Sequence, residues 1–252
     1  MILFLLAAAA LQSQQGPTGH PVSSEEVRFH DCLGLATNDP QQGEARANQW
    51  RLDGGGFVAQ ECLGVAYANQ QRFADAAGEF EGAAKAATLA KDDRAANDWA
   101  EAGNAWIAAG DAAKAKAALD AALALDSLNA VQRGEAQLDR ARALVATGDL
   151  PAARSDLDAA LIVVPQDSLA WLLSATLARR MGDLPRAHKD IAEALSRAPR
   201  EAPVQLEAGN IAAMSQDEAG AKAAWQQAID LAPDSPAGQN AAEALKQFGV
   251  AP

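Results

Sequence analysis

Gly148-Asp149-Leu150-Pro151 recurs 34 residues later as Gly182-Asp183-Leu184-Pro185. Each copy joins a residue suited to left-handed backbone, a helix-capping carboxylate and a proline in the first helical turn, where no amide is needed. One helix should therefore end at the glycine and another begin after the aspartate. Working outward, Pro165, Pro199 and Pro233 follow at intervals of 34 and 34 and should stop the second helix. Gly110-Asp111 is an earlier copy, 38 residues before Gly148, and Gln216-Asp217 is a later, weaker one. Glu-Ala-Gly-Asn stands at 101–104 and again at 207–210. A fixed period in this range, broken near the middle and end of each unit, describes a solenoid of helix pairs.

Composition agrees. The chain of 252 residues contains 64 alanines, while Val, Ile and Thr together number 21 and Tyr occurs once. Alanine has the highest helix propensity, and scarce β-branched and aromatic residues argue against a sandwich or barrel. A hydrophobic content of 49% is too high for disorder. The formal net charge of -12 disfavours nucleic acid and anionic lipid as partners, since both need a basic surface.

The phased residues resemble the tetratricopeptide repeat family, whose pattern places Trp, Leu-Gly and Tyr in a first helix and Ala, Phe, Ala and Pro in a second. Leu63, Gly64, Tyr67, Ala76, Phe80 and Ala83 carry it in unit one. Trp99, Gly103, Trp106, Ala115, Leu119 and Ala122 carry it in unit two. Ala141, Leu144, Ala153, Leu157, Ala160 and Pro165 mark unit three. Trp171, Ala175, Ala178, Ala187, Ile191, Ala194 and Pro199 mark unit four. Gly209, Ala212, Ala221, Trp225, Ala228 and Pro233 mark unit five. The resemblance covers about 180 of 252 residues. It implies an all-α fold, an α-solenoid of stacked antiparallel pairs forming a right-handed superhelix. The small residues let paired helices approach and the large ones fill the gaps, so the tryptophans are expected in the core. Thr88 and Ser127 replace the terminal proline in units one and two, and spacing stretches to 39 and 38. Longer second helices or loops are expected around 88–95 and 126–133.

The expected units are 57–95, 96–133, 134–167, 168–201 and 202–235. Before them, 23–56 reads as a degenerate helix pair, opened by a capping box at Ser23 and Glu26 and broken at Asp39-Pro40. After them, 236–252 reads as a capping helix and tail, as a solenoid's last face requires. Residues 2–11 form an apolar run too short to span a bilayer and suited to a secretory signal, so 1–13 is assigned to a leader and 14–22 to a linker. Cleavage would leave no membrane span and place the chain in a bacterial periplasm or outside the cell. Cys32 and Cys62 each open a Cys-Leu-Gly pentapeptide. They read equally well as a disulfide or as two small buried residues at helix contacts.

No familiar catalytic motif occurs, and a site of His30, Cys32 and Cys62 would lack a fourth metal ligand. Neither enzyme activity nor a cofactor or metal is expected. What remains is binding of a protein or peptide. In the resembled family the first helices line a groove, and two columns would face it here. One is Leu138, Leu172 and Leu206, which also reads as ordinary helix contacts. The other is Asn104, Arg142, Thr176 and Asn210, with Arg179 one turn on, and it also reads as solvated surface. Asparagine can satisfy an extended backbone, and arginine can take an acidic group. The leading expectation is an exported adaptor that binds through this groove. The alternative is a structural subunit of a cell-envelope assembly that uses its outer face.

Overall fold

The computed structural model describes residues 23–248. The proposed leader, the linker and the last four residues lie outside them. The described residues form thirteen helices: α1 (Ser24–Asn38), α2 (Pro40–Leu52), α3 (Gly56–Asn69), α4 (Phe73–Ala90), α5 (Ala95–Ala108), α6 (Ala112–Leu123), α7 (Ala130–Thr147), α8 (Leu150–Val163), α9 (Ser168–Arg180), α10 (Leu184–Arg197), α11 (Ala202–Met214), α12 (Glu218–Leu231) and α13 (Pro236–Phe248). Each odd helix packs on the even helix that follows, and each even helix packs on the next pair. Odd helices also touch along the stack, α1 on α3, α5 on α7, α7 on α9 and α9 on α11. The result is an all-helical solenoid with a layer of first helices and a layer of second helices.

The turn inside each of the five pairs from α3–α4 to α11–α12 places one residue in left-handed backbone. The left-handed residue is Gln71, Gly110, Gly148, Gly182 or Gln216, with φ of 61, 81, 92, 81 and 63°. Glycine takes this backbone without strain, whereas glutamine must be held there by its surroundings. The next residue caps the second helix. Asp111, Asp149, Asp183 and Asp217 accept amide hydrogen bonds from Lys114, Ala152, Arg186 and Gly220 at 2.9–3.1 Å. Arg72 replaces the aspartate before α4 and makes no such cap. The stretched spacings have two causes. α4 runs for 18 residues, whereas α8, α10 and α12 have 14. After the shorter α6, residues 124–129 form a non-helical connection, and the surplus enters an 18-residue α7.

Within a pair, a small residue on the first helix faces a large one on the second. A Cβ on Gly64 would lie 2.7 Å from the Phe80 ring, one on Gly103 2.4 Å from Leu119, and one on Gly209 2.4 Å from Trp225. Units three and four use Ala141 with Leu157 and Ala175 with Ile191, all buried. Glycine thus accompanies the aromatic plugs and alanine the smaller Leu and Ile; Gly103 with Leu119 departs from this. Trp50 and Trp225 are core residues, while Trp99, Trp106 and Trp171 are partly buried. α13 closes the stack with Ala241 buried and Phe248 edge-on to Trp225 at 5.3 Å.

Polar pairs add to the apolar contacts between the helices. The Arg140 guanidinium donates twice to Asp156 at 2.7 Å and once to Asp120 at 2.9 Å, tying α7 to α8 and α6. One period on, Ser174 donates to buried Asp190, and Arg154 donates to Ser174 at 2.9 Å.

The glycine contacts give a direct expectation. Gly209→Ala should gain about 1 kcal/mol of helix propensity but lose about 1–3 kcal/mol to overpacking against Trp225. A net fall in Tm of a few degrees is expected. Trp225→Leu should cost less in that background than alone, giving a favourable coupling of about 1 kcal/mol in a double-mutant cycle. Additive effects in thermal melts would show that the two positions do not share a packing constraint.

Candidate functional site

The first-helix layer separates the expected groove residues by role. Leu138 is 4% exposed and packs with Leu144, Leu157 and Leu177. Leu172 and Leu206 are partly buried against the next clusters. Leu138 is therefore helix packing, whereas Leu172 and Leu206 keep part of their surface exposed. Arg179 forks onto Glu207 at 2.6 and 3.2 Å, which commits its charge within the protein. Asn210 donates to Glu207 at 3.2 Å and accepts from the Trp225 indole at 3.1 Å. Asn104 is half-buried on α5.

Arg142 and Thr176 do come together. They line a pocket of about 150 Å³ with Ala141, Val145, Leu157, Leu173, Leu177 and Arg180. Its walls come from α7 and α9, with Leu157 of α8 behind. Arg142 donates to Asp139 at 2.8 Å, while Arg180 is exposed and forms no ion pair among the described residues. Apolar walls bordered by two guanidinium groups suit an apolar side chain with an acceptor beside it.

A second feature escaped the sequence reading. Asp98 on α5 is fully buried, and neither carboxylate oxygen has a hydrogen-bond partner. In the register set by the small–large pairs, its equivalents are Ala59, Ala136, Ala170 and Val204, all buried. A carboxyl therefore occupies a position that packing elsewhere fills with a small apolar group. That register was the available signal for it. The Asp98 charge lies in the first turn of its helix, where the dipole favours it by about 0.3–1 kcal/mol. Burying an unpaired ion costs several kcal/mol, so burial outweighs the dipole.

Further acids extend this position into a strip across three first helices. Burial, and next the Glu61 charge, push Asp98 up to about 8. Burial raises Glu61 on α3 to about 7 against the pull of Arg94, and one of its carboxylate oxygens is also unpartnered. Glu101 is raised to about 7 by burial and by the charges of Asp139 and Glu135 on α7, which burial raises in turn. The nearby cation is engaged elsewhere. Arg94 donates to Asp92 at 3.0 and 2.9 Å and lies over the Phe57 ring at 4.8 Å.

Cys32 and Cys62 are both fully buried, and their sulfurs are bonded, with Cα atoms 6.1 Å apart. The bond joins α1 to α3. His188 contacts the Ser215 hydroxyl at 2.7 Å. No three of the described His, Cys, Asp and Glu side chains converge to hold a metal ion. No described helix is long and apolar enough to cross a membrane.

No family sequence model matches the chain, and no curated protein matches it in sequence. Solved structures do match its fold. Pseudomonas aeruginosa PilF is similar over 88% of this chain and 97% of that one, at 17% identity and a TM-score of 0.70. PilW, a widely conserved type IV pilus biogenesis factor, matches over 87% and 98%, at 19% identity and a TM-score of 0.71. YrrB, a tetratricopeptide repeat protein with an unusual peptide-binding site, matches over 79% and 96%, at 20% identity and a TM-score of 0.58. At these identities the likeness establishes a tetratricopeptide-repeat solenoid.

The acid strip fixes the sign of a pH effect. Carboxyls whose folded pKa lies above the unfolded value bind protons more tightly when folded. Stability from this source is full below about pH 4 and is lost as pH rises through about 7–8. Asp98→Ala, which installs the residue of units one, three and four, should raise Tm by roughly 3–8 °C at pH 8.5 and by less at pH 5.5. A lower Tm at both pH values would mean that Asp98 is paired and structural.

Proposed function

We propose that this chain is an exported scaffold that holds a protein or peptide along its layer of first helices. The observation that carries this reading is the company of two features on that layer that internal packing does not require. One is the pocket beside Arg142, Thr176 and unpaired Arg180; the other is the unpartnered carboxyl of Asp98. A solenoid exposes such a layer continuously, which suits an extended ligand. YrrB, with its unusual peptide-binding site, is a precedent for peptide binding by a protein of this fold. PilW also supports a place in assembling a cell-envelope machine.

Export rests on the apolar run at residues 2–11 and on the Cys32–Cys62 bond, since structural disulfides persist in oxidising compartments. A second reading, assembly through the outer surface, is favoured by three apolar residues at the ends of second helices. Leu52, Leu89 and Ile162 are 81, 87 and 79% exposed on α2, α4 and α8. Exposed apolar groups of this size mark contact surfaces when they cluster.

Site-directed photocrosslinking in cells of the native organism separates the two. A photoreactive residue at Thr176 should capture a partner protein, and one at Ile162 should not. Capture at Ile162 alone would replace the groove with the outer surface. The intact mass of the recovered chain reads export through loss of the leader and a two-proton deficit from the disulfide. A full-length chain with two free thiols would contradict it.

A further inference from the structure

We propose that Glu61, Asp98 and Glu101 form a subsite for a lysine or arginine side chain of the bound partner; this rests on the scaffold reading. Asp98 has both oxygens unpartnered inside the protein, and Glu61 has one. These are acceptors that packing has left without donors, on helices that face the proposed ligand. A buried acceptor with no donor is a cost that a ligand donor removes on binding.

The chemistry of the surroundings selects a cation with several donors. Arg94, the basic group nearest Asp98 and Glu61, is held by Asp92 through two hydrogen bonds and does not reach either. On the far side Arg142 is taken by Asp139, so no internal cation among the described residues donates a hydrogen bond to Glu61, Asp98 or Glu101. The carboxyls do not converge as metal ligands do. A guanidinium has five donors in a flat fork and an ammonium has three, on long stems. Glu61 and Glu101 are partly exposed, whereas Asp98 is fully buried behind them and is reached only if the surrounding helices part. Either can bridge acids too dispersed for one ion. Burial holds these carboxyls well above their usual range, so a bound cation would return them to the charged form.

The groove then changes sign along the stack, from acids on α3 and α5 to the Arg142 and Arg180 pocket between α7 and α9. Neighbouring helix axes lie about 8–10 Å apart. Two such steps span roughly six residues of extended chain. The partner segment thus carries a basic residue about six positions from an apolar one.

Isothermal titration of the full chain at pH 8.5 with hexa-arginine, acetylated at its N-terminus and amidated at its C-terminus, tests the subsite. Hexa-glutamate and hexa-glutamine, blocked in the same way, serve as charge controls. Hexa-arginine is expected to bind and the other two are not. Asp98→Ala and Glu61→Gln should each weaken it at least tenfold. Glu218→Gln, which removes one exposed acid on α12, should change it less than twofold. Two variants are used so that a folding defect in one leaves the other informative, and thermal melts check both. No binding of hexa-arginine, or equal losses in all three variants, would overturn the subsite and leave only diffuse attraction to an acidic protein. A partner crosslinked at Thr176 but released by neither Asp98→Ala nor Glu61→Gln would also overturn it. In that case the scaffold reading stands.

Discussion

Everything in this fold depends on how closely the two helices of a pair approach. That distance is set where a glycine or alanine on the first helix meets a large side chain on the second. Gly64, Gly103 and Gly209 leave no room for a methyl group beside Phe80, Leu119 and Trp225. The contact fixes the pair, and repeating it at intervals of 34, 38 or 39 residues stacks the units. Alanine fills most remaining contact points, which is why this chain holds so much of it. An individual unit buries too little to stand alone, so stability belongs to the stack.

Close stacking makes any buried polar group a strong constraint, because it must find its partner within the same few side chains. The carboxylates of the later units meet this requirement, although the Nε of Arg154 is left without an acceptor. Asp156 is matched by Arg140 and Asp190 by Ser174. Asp98 is the exception, a fully buried carboxyl with no donor in a column otherwise filled by alanine and valine. A carboxyl buried with both oxygens open carries a cost that a ligand donor would remove. That cost ties the packing to a proposed binding role.

The helix order was legible in the sequence because its signals are local. Gly148, Asp149 and Pro151 act within one turn, and the same is true of Ser23 with Glu26, which form the expected capping box. Even the weak copy at Gln216-Asp217 adopts the turn. The groove was less legible. A period of 34 places Leu138, Leu172 and Leu206 at one point of each unit, but not on a known face. That face depends on crossing angles that no short stretch encodes: Leu138 turned inward, while Leu172 and Leu206 are only partly buried. Arg179 was visible as a free charge only because Glu207, its partner, comes from the next unit. The acid strip spans α3, α5 and α7, so no window of sequence contains it. Asp98 alone could have been found, by aligning it with Ala59, Ala136 and Ala170.

The claim on which the functional account turns is that Asp98 is buried without a partner. A carbon-13 NMR titration of its side-chain carboxyl in the unliganded chain reads this most directly. A midpoint near 8 is expected, with Asp98→Asn used to assign the resonance. A midpoint near the ordinary aspartate value of about 4 would show a hydrated or paired carboxylate and would contradict the account.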